Sequence, residues 1–310
     1  MNKLKKNPLI TLFENLKILD SDKTELFHKG TRDIKQINVL VDNDSGSLIL
    51  DKCVEDLDDY YLNNTIYTLD EHKTLLDNNL VNTPPLEDDI RRFELYKNEL
   101  KDLSILDFGC GKGGFLKKIK EQNISSNLTG VELNKINRKN INLSGIDCFS
   151  KLEETKNKFD LIFLNHVFEH LTNPIEIIKE LKKQTTDSGK IIIEIPHGDD
   201  FLIKKSNVTP FKDFTFWSEH ICLYTEKLIR KLFNQIEIND FHISYYQRYN
   251  MNNHLNWFNN KKPGGHTNFK LYDEPILKQY NKYLIEKKMT DTLMIVIGEN
   301  SKDFSDKIWN

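Results

Sequence analysis

From residue 104 onward, short apolar runs alternate with longer stretches of helical periodicity. SILDFG (104–109), NLTGVELN (127–134), FDLIFLNHV (159–167), KIIIEIPH (190–197) and TLMIVIGE (292–299) predict strands. GIDCFS (145–150) reads as a weaker strand, and another lies in EINDFHISYYQ (237–247). Between them, GGFLKKIKEQ, NKINRKN, NPIEIIKELKKQ and TEKLIRKLFN predict helices, the third capped by Asn173 with Pro174 in its first position. Strands that are apolar on both faces and alternate with helices describe a parallel sheet covered on both sides, an α/β fold. Ahead of it, 37–52 predicts two strands around a turn at Asn43-Asp44-Ser45-Gly46. A helix is expected over 87–100, with Ile90, Phe93, Leu95 and Leu100 on one apolar face and Arg91 and Arg92 on a solvated one. Thr83-Pro84-Pro85 breaks the chain just before it. A boundary is therefore expected near residue 80, with a small N-terminal module at 1–80 and the main domain at 81–310.

Composition narrows the function classes. The 310 residues carry 44 basic and 47 acidic side chains, a formal net charge of -3, which argues against broad electrostatic binding to nucleic acid. No apolar run reaches the length of a membrane helix, and the first 20 residues lack a signal-peptide pattern. Cys53, Cys110, Cys148 and Cys222 are scattered, with no C-x-x-C pair, so neither a zinc knuckle nor a disulfide framework is suggested. A reduced, cytoplasmic protein without membrane insertion is the expectation.

The chemistry gathers where the first main-domain strand ends, at Asp107-Phe108-Gly109-Cys110-Gly111-Lys112-Gly113-Gly114. Glycines there admit positive φ and a close ligand approach, and the helix that follows offers unpaired N–H groups. Gly109, Gly111 and Gly114 also satisfy G-x-G-x-x-G, with Glu132 at the end of the next strand, so an NAD-binding oxidoreductase is one reading. A P-loop is excluded, because Lys112 is followed by Gly113. Asp107 separates the remaining readings. A carboxylate at that point would repel a pyrophosphate, whereas it suits a cationic nucleoside such as S-adenosylmethionine, whose ribose hydroxyls Glu132 would accept.

ILDFGCGKGGFL resembles motif I, D-x-G-x-G-x-G, of the class I S-adenosylmethionine-dependent methyltransferases, matched by Asp107, Gly109, Gly111 and Gly113. VELN supplies the ribose-binding acid Glu132, FDLIFLNHVFEHLTNP resembles the fourth-strand motif, and KIIIEIPH resembles the fifth strand. The resemblance covers residues 87 to about 249. It implies a Rossmann-like doubly wound, mostly parallel seven-stranded sheet with an antiparallel last strand. It also implies that Asn165 and Ser150 line the cofactor pocket. Ser150 or backbone stands in for an adenine-binding acid that this chain lacks after its third strand. The roughly 40 residues between the last two strands exceed the usual hairpin, so an insertion at about 250–290 is expected to form a wall for the acceptor.

His166 and His197 follow the fourth and fifth strands, at the edge of the sheet where α/β proteins bind ligands. Each is a candidate general base, His166 first. His166-Val167-Phe168-Glu169-His170 also spells the zinc-peptidase pattern H-x-x-E-H, which requires a helix where a strand end is expected. The stretch is similar to the E-x-x-E-H of certain metal-binding O-methyltransferases, with His166 in place of the first Glu and His220 completing the set. The expected site nevertheless contains no metal. Arg248, Tyr249, His254, Trp257 and Pro263-Gly264-Gly265-His266 suit a sugar or nucleotide acceptor, and the segment resembles methyltransferases of bacterial cell-surface polysaccharides. Residues 37–61, with Tyr60 and Tyr61, outline the small N-terminal module of sugar-nucleotide methyltransferases without its paired cysteines. The expected activity is therefore methyl transfer from S-adenosylmethionine to oxygen of a small or carbohydrate acceptor. A cofactor-binding protein without catalysis is a further alternative.

Overall fold

The computed structural model describes residues 3–55 and 85–309. The expected boundary near residue 80, and Tyr60 and Tyr61, lie outside the described residues. Thirteen strands are described: β1 (Leu4–Lys6), β2 (Thr24–His28), β3 (Val39–Asp42), β4 (Leu48–Leu50), β5 (Lys52–Val54), β6 (Ile105–Phe108), β7 (Leu128–Val131), β8 (Asp147–Phe149), β9 (Phe159–Asn165), β10 (Thr185–Pro196), β11 (Cys222–Leu223), β12 (Phe241–Tyr246) and β13 (Thr292–Ile297). Seven of them form the main sheet, in the order β12-β13-β10-β9-β6-β7-β8. β6 to β10 run parallel, and β13, the last in sequence, lies antiparallel between β10 and β12. This is the Rossmann-like sheet that the sequence implies.

Alternation along the strands divides the core. Leu106, Ile162, Leu164, Ile191, Ile193 and Ile295 pack on one face of the sheet. Their neighbours Ile105, Leu161, Phe163, Ile192, Met294 and Val296 pack on the other, where the helices Glu87–Tyr96 and Gly114–Glu121 supply Phe93, Tyr96, Phe115 and Ile119. Successive side chains of a strand point to opposite faces, so every second residue joins a different layer.

The turn at 43–46 does join β3 to β4 antiparallel. Those strands, with β2, form a second sheet whose fourth member is β11, paired with β4 through Cys222 and Leu223. Leu9, Phe13, Ile37 and Leu48 share one continuous apolar cluster with the first face of the main sheet. Residues 3–55 are thus packed into the main core.

β12 and β13 are joined by three helices, Met251–Asn260, Gly265–Asn268 and Glu274–Glu286, which occupy the expected insertion. The helix Glu87–Tyr96 corrects one expectation. Its inner face is Phe93 and Tyr96 with Arg92, which is 8% exposed, while Ile90 is 43% exposed. Arg91 and Arg92 are not a solvated face. Both reach Glu194, a carboxylate fully buried in β10.

Candidate active site

The loop after β6 turns through three left-handed glycines, with φ of 76° at Gly109, 54° at Gly111 and 71° at Gly113. A Cβ on Gly109 would lie 2.5 Å from Val167 Cγ2, so no side chain fits there. On Gly111 it would meet nothing within 4 Å, which leaves open space directly over the loop. The N–H groups of Gly109 and Cys110 donate to Val131 O, tying the loop to β7. Glu132 Oε2 accepts the Gly111 N–H at 2.8 Å, and its Oε1 accepts the Asn134 N–H at 2.7 Å. Burial raises the Glu132 carboxyl above its usual range, against the pull of these amides. Each carboxylate oxygen keeps a lone pair, so two ribose hydroxyls can still be accepted.

Asp107 is 3% exposed and accepts Asn165 Nδ2 at 3.2 Å. Burial brings its carboxyl up to about 7. The loop amide is therefore held by Glu132, and Asp107 faces the end of β9. Asn165 Oδ1 is buried with no partner among the described residues, and so is Arg91 Nη1. Asn165 pairs in register with Glu194, the carboxylate that Arg91 and Arg92 grip, so these orphans lie at neighbouring strand ends. An α-amino acid group supplies what they lack: an ammonium for Asn165 Oδ1 and Asp107, and a carboxylate for Arg91. The residues fit S-adenosylmethionine. Ser150, at the end of β8, donates its hydroxyl to Glu154 Oε1 at 2.6 Å and keeps acceptor capacity for an adenine amino group.

His166 has a left-handed φ of 56° just past β9. Its Nδ1 lies 3.0 Å from Glu169 Oε1, and its Nε2 lies 3.2 Å from Glu194 Oε1 and 2.9 Å from Arg248 Nη1. Burial works to lower its pKa, but the two carboxylates outweigh it and raise the imidazole above its usual value. Burial likewise opposes ionisation of Glu169 and Glu194. His166 nevertheless brings Glu169 down to about 2, and Arg92 and His166 hold Glu194 well below its usual range.

His197, after β10, is 2% exposed. Its Nδ1 lies 2.9 Å from Thr290 O, an acceptor, so Nδ1 carries the proton and Nε2 is left with a lone pair. Burial pulls its pKa down to about 4, which keeps the ring neutral at pH 7.

Glu169, His170 and His220 each bring one ligand-type atom within 4.8 Å of the others. Three of the four residues of the metal set suggested by the sequence thus converge, while His166 points its Nδ1 at Glu169 Oε1. Phe168–His170 is a single 3₁₀ turn, not the helix a zinc peptidase requires.

Beside His166 and His197 opens a cavity of about 350 Å³. The insertion contributes Asn253, His254, Trp257 and His266, and the N-terminal segment contributes Arg32. Arg32 lies 4.2 Å over the Trp217 ring, and Trp257 packs edge-on against Phe211. Asp200 and Asp291 complete the polar wall. Sequence reasoning missed Glu194, Asp200 and Asp291, and it singled out Arg91 and Arg92 but gave them first to a solvated face rather than to the cofactor or an anionic acceptor. A visible signal existed for one of them, since Glu194 is the single charge inside the run Ile191–Ile195.

A methyltransferase-domain family model matches residues 82–242. An uncharacterised protein of Methanocaldococcus jannaschii is 31% identical over 116 residues, 37% of this chain and 49% of that protein. A tRNA U34 carboxymethyltransferase of Campylobacter concisus is 32% identical over 108 residues, 31% of this chain and 36% of that one. The chain thus spans half or less of the curated relatives it matches. Among solved structures, a SAM-dependent methyltransferase from Archaeoglobus fulgidus aligns with a TM-score of 0.44 at 18% identity, covering 68% of this chain and 92% of that one.

Proposed function

Because this chain belongs to the family of S-adenosylmethionine-dependent methyltransferases, we propose that it methylates a hydroxyl of a small, sugar-type acceptor seated beside His197. The dehydrogenase alternative falls with the family match. When bound, S-adenosylmethionine supplies a methyl group made electrophilic by its sulfonium. Gly111, Glu132, Asp107, Asn165 and Arg91 are the residues that would hold it, for the reasons of shape and unmet hydrogen bonding given above.

The observation that carries the reading is the fixed tautomer of His197. Thr290 O accepts the Nδ1–H, which leaves Nε2 of this cavity-lining residue with a lone pair that can accept a hydroxyl proton. A neutral imidazole is the form a base requires. His166, the first choice from the sequence, is engaged on both ring nitrogens, Nδ1 by Glu169 and Nε2 by Glu194 and Arg248, so neither is free to receive a hydroxyl proton. We assign it to orienting Glu169 and Glu194, and the two histidines exchange rank. Alignment of the acceptor against the cofactor does most of the remaining work, and the aromatic rings of the cavity supply it.

The C. concisus relative acts on tRNA. A tRNA acceptor calls for a basic face, and the net charge of -3 together with an aromatic cavity of about 350 Å³ favours a small molecule. The test is transfer of labelled methyl from S-adenosylmethionine to a panel of sugars and nucleotide sugars. His197→Asn is expected to lower kcat by about 100-fold or more while the dissociation constant of S-adenosylhomocysteine moves less than about threefold. A His197→Asn enzyme with a kcat within about threefold of the parent would overturn the assignment.

A further inference from the structure

We propose that the acceptor is a sugar bearing a protonated amine, with the ammonium set against Asp200 and the hydroxyls meeting the unpartnered acceptors of the cavity wall. This rests on the sugar-type reading above and narrows it.

The argument is a comparison of donors with acceptors. His197 lines the cavity with its Nε2 holding a lone pair, and the Asp199 carboxylate lies 4.0 Å from that atom. Asn253 is 5% exposed, and its Oδ1 is buried with no partner. His266 Nε2 lies 3.2 Å from Glu87 Oε2, and its Nδ1 is buried without a partner among the described residues. Two wall acceptors therefore ask for donors, and His266 Nδ1 asks for a partner of either kind.

The wall's own cations do not meet that demand. The Arg248 guanidinium is committed to Asp88, the Tyr249 hydroxyl and His166. Arg32 is exposed, stacked over Trp217 and Phe214. Asp291 is already satisfied, taking Gln247 Nε2, the N–H groups of Arg248 and Tyr249, and the Thr292 hydroxyl.

Asp200 differs. It is 5% exposed, accepts the Leu202 N–H at 2.5 Å as a helix cap, and has no ion-pair partner among the described residues. Burial, with the Asp291 charge behind it, lifts its carboxyl to about 8. An incoming ammonium would favour the ionised form that Asp200 must take to receive it, and would bring up to three donors. The apolar faces of Trp217 and Trp257 suit the C–H face of a sugar ring.

The test is calorimetry on the full chain saturated with S-adenosylhomocysteine, titrated with glucosamine, glucose and glucuronate. Glucosamine is expected to bind at least tenfold tighter than glucose, with glucuronate weakest. Asp200→Asn, which keeps a capping side chain over Leu202, should abolish that preference and leave glucose and S-adenosylhomocysteine affinities unchanged. Equal binding of glucosamine and glucose, or a preference for glucuronate, would overturn the inference and leave the sugar reading in place. Failure of all three to bind, with S-adenosylhomocysteine still bound, would overturn the sugar reading as well. The preference in the parent protein is decisive by itself should the variant not fold.

Discussion

Glu194→Gln is the sharpest probe of how the site is held together. Glu194 has no exposed surface, and its two oxygens take Arg91 Nη2 at 2.5 Å and Arg92 Nη2 and Nε each at 3.1 Å, with His166 Nε2 at 3.2 Å. The amide keeps the shape and one acceptor but removes the charge, leaving two guanidiniums in a half-met, water-poor setting. Removing one partner of a buried ion pair costs about 3–5 kcal/mol, and the retained acceptor places the expectation near 3. At roughly 2 °C per kcal/mol for a chain of this length, the melting temperature should fall by about 6 °C. Urea unfolding followed by circular dichroism reads the free energy directly.

The pH dependence adds a signature that a packing defect would lack. The folded pKa of Glu194 lies well below the ordinary 4.5, so its contribution is complete above that value and is lost as the pH falls toward the folded pKa. The gap between parent and variant should narrow from about 3 kcal/mol at pH 7 to about 2 at pH 4. A gap below about 1 kcal/mol at pH 7, or one that does not change down to pH 4, would refute the ion-pair account.

Two further outcomes follow from the cofactor residues. Asp107, lifted by burial to about 7, must ionise to receive an ammonium, so S-adenosylhomocysteine affinity should rise with pH through about 7 and level off above it; calorimetry should show about a fivefold loss between pH 7 and pH 6, and Asp107→Asn should be weak and flat across that range. Glu132→Ala removes the carboxylate that receives the Gly111 and Asn134 amides as well as the ribose acceptor, and should weaken the same ligand by about 2–4 kcal/mol; an unchanged dissociation constant contradicts that placement.

Local pattern carried the main sheet well, because strands buried on both faces and helices with one apolar face write their periods into a few consecutive residues. FDLIFLN and KIIIEIP are legible without any neighbour. The glycine loop was legible for a similar reason, since positive φ at Gly109 and Gly113 is needed by the turn itself. What escaped was long-range. Arg91 and Arg92 look like ordinary surface charge until Glu194, 103 and 102 positions away, turns up beneath them. His166 looked like a free base because Glu169, three residues on, read only as part of a motif, and nothing local announces Glu194 on the other side of its ring. Asp200 follows β10 and Asp291 immediately precedes β13, some 90 residues later, so their mutual repulsion has no trace in either segment.

The pairing of β4 with β11 also constrains how the chain is made. Leu48 finds its partner Leu223 about 175 residues later, so the early hairpin leaves the ribosome with an open edge. At translation rates of roughly 5–20 residues per second, that edge waits about 10–35 s for its closing strand. Until then Leu48, Ile49 and Leu50, which are almost wholly covered in the finished fold, remain available to any other extended segment nearby. Nascent-chain capture by a holdase should therefore peak on this hairpin and release once the residues after 220 have emerged.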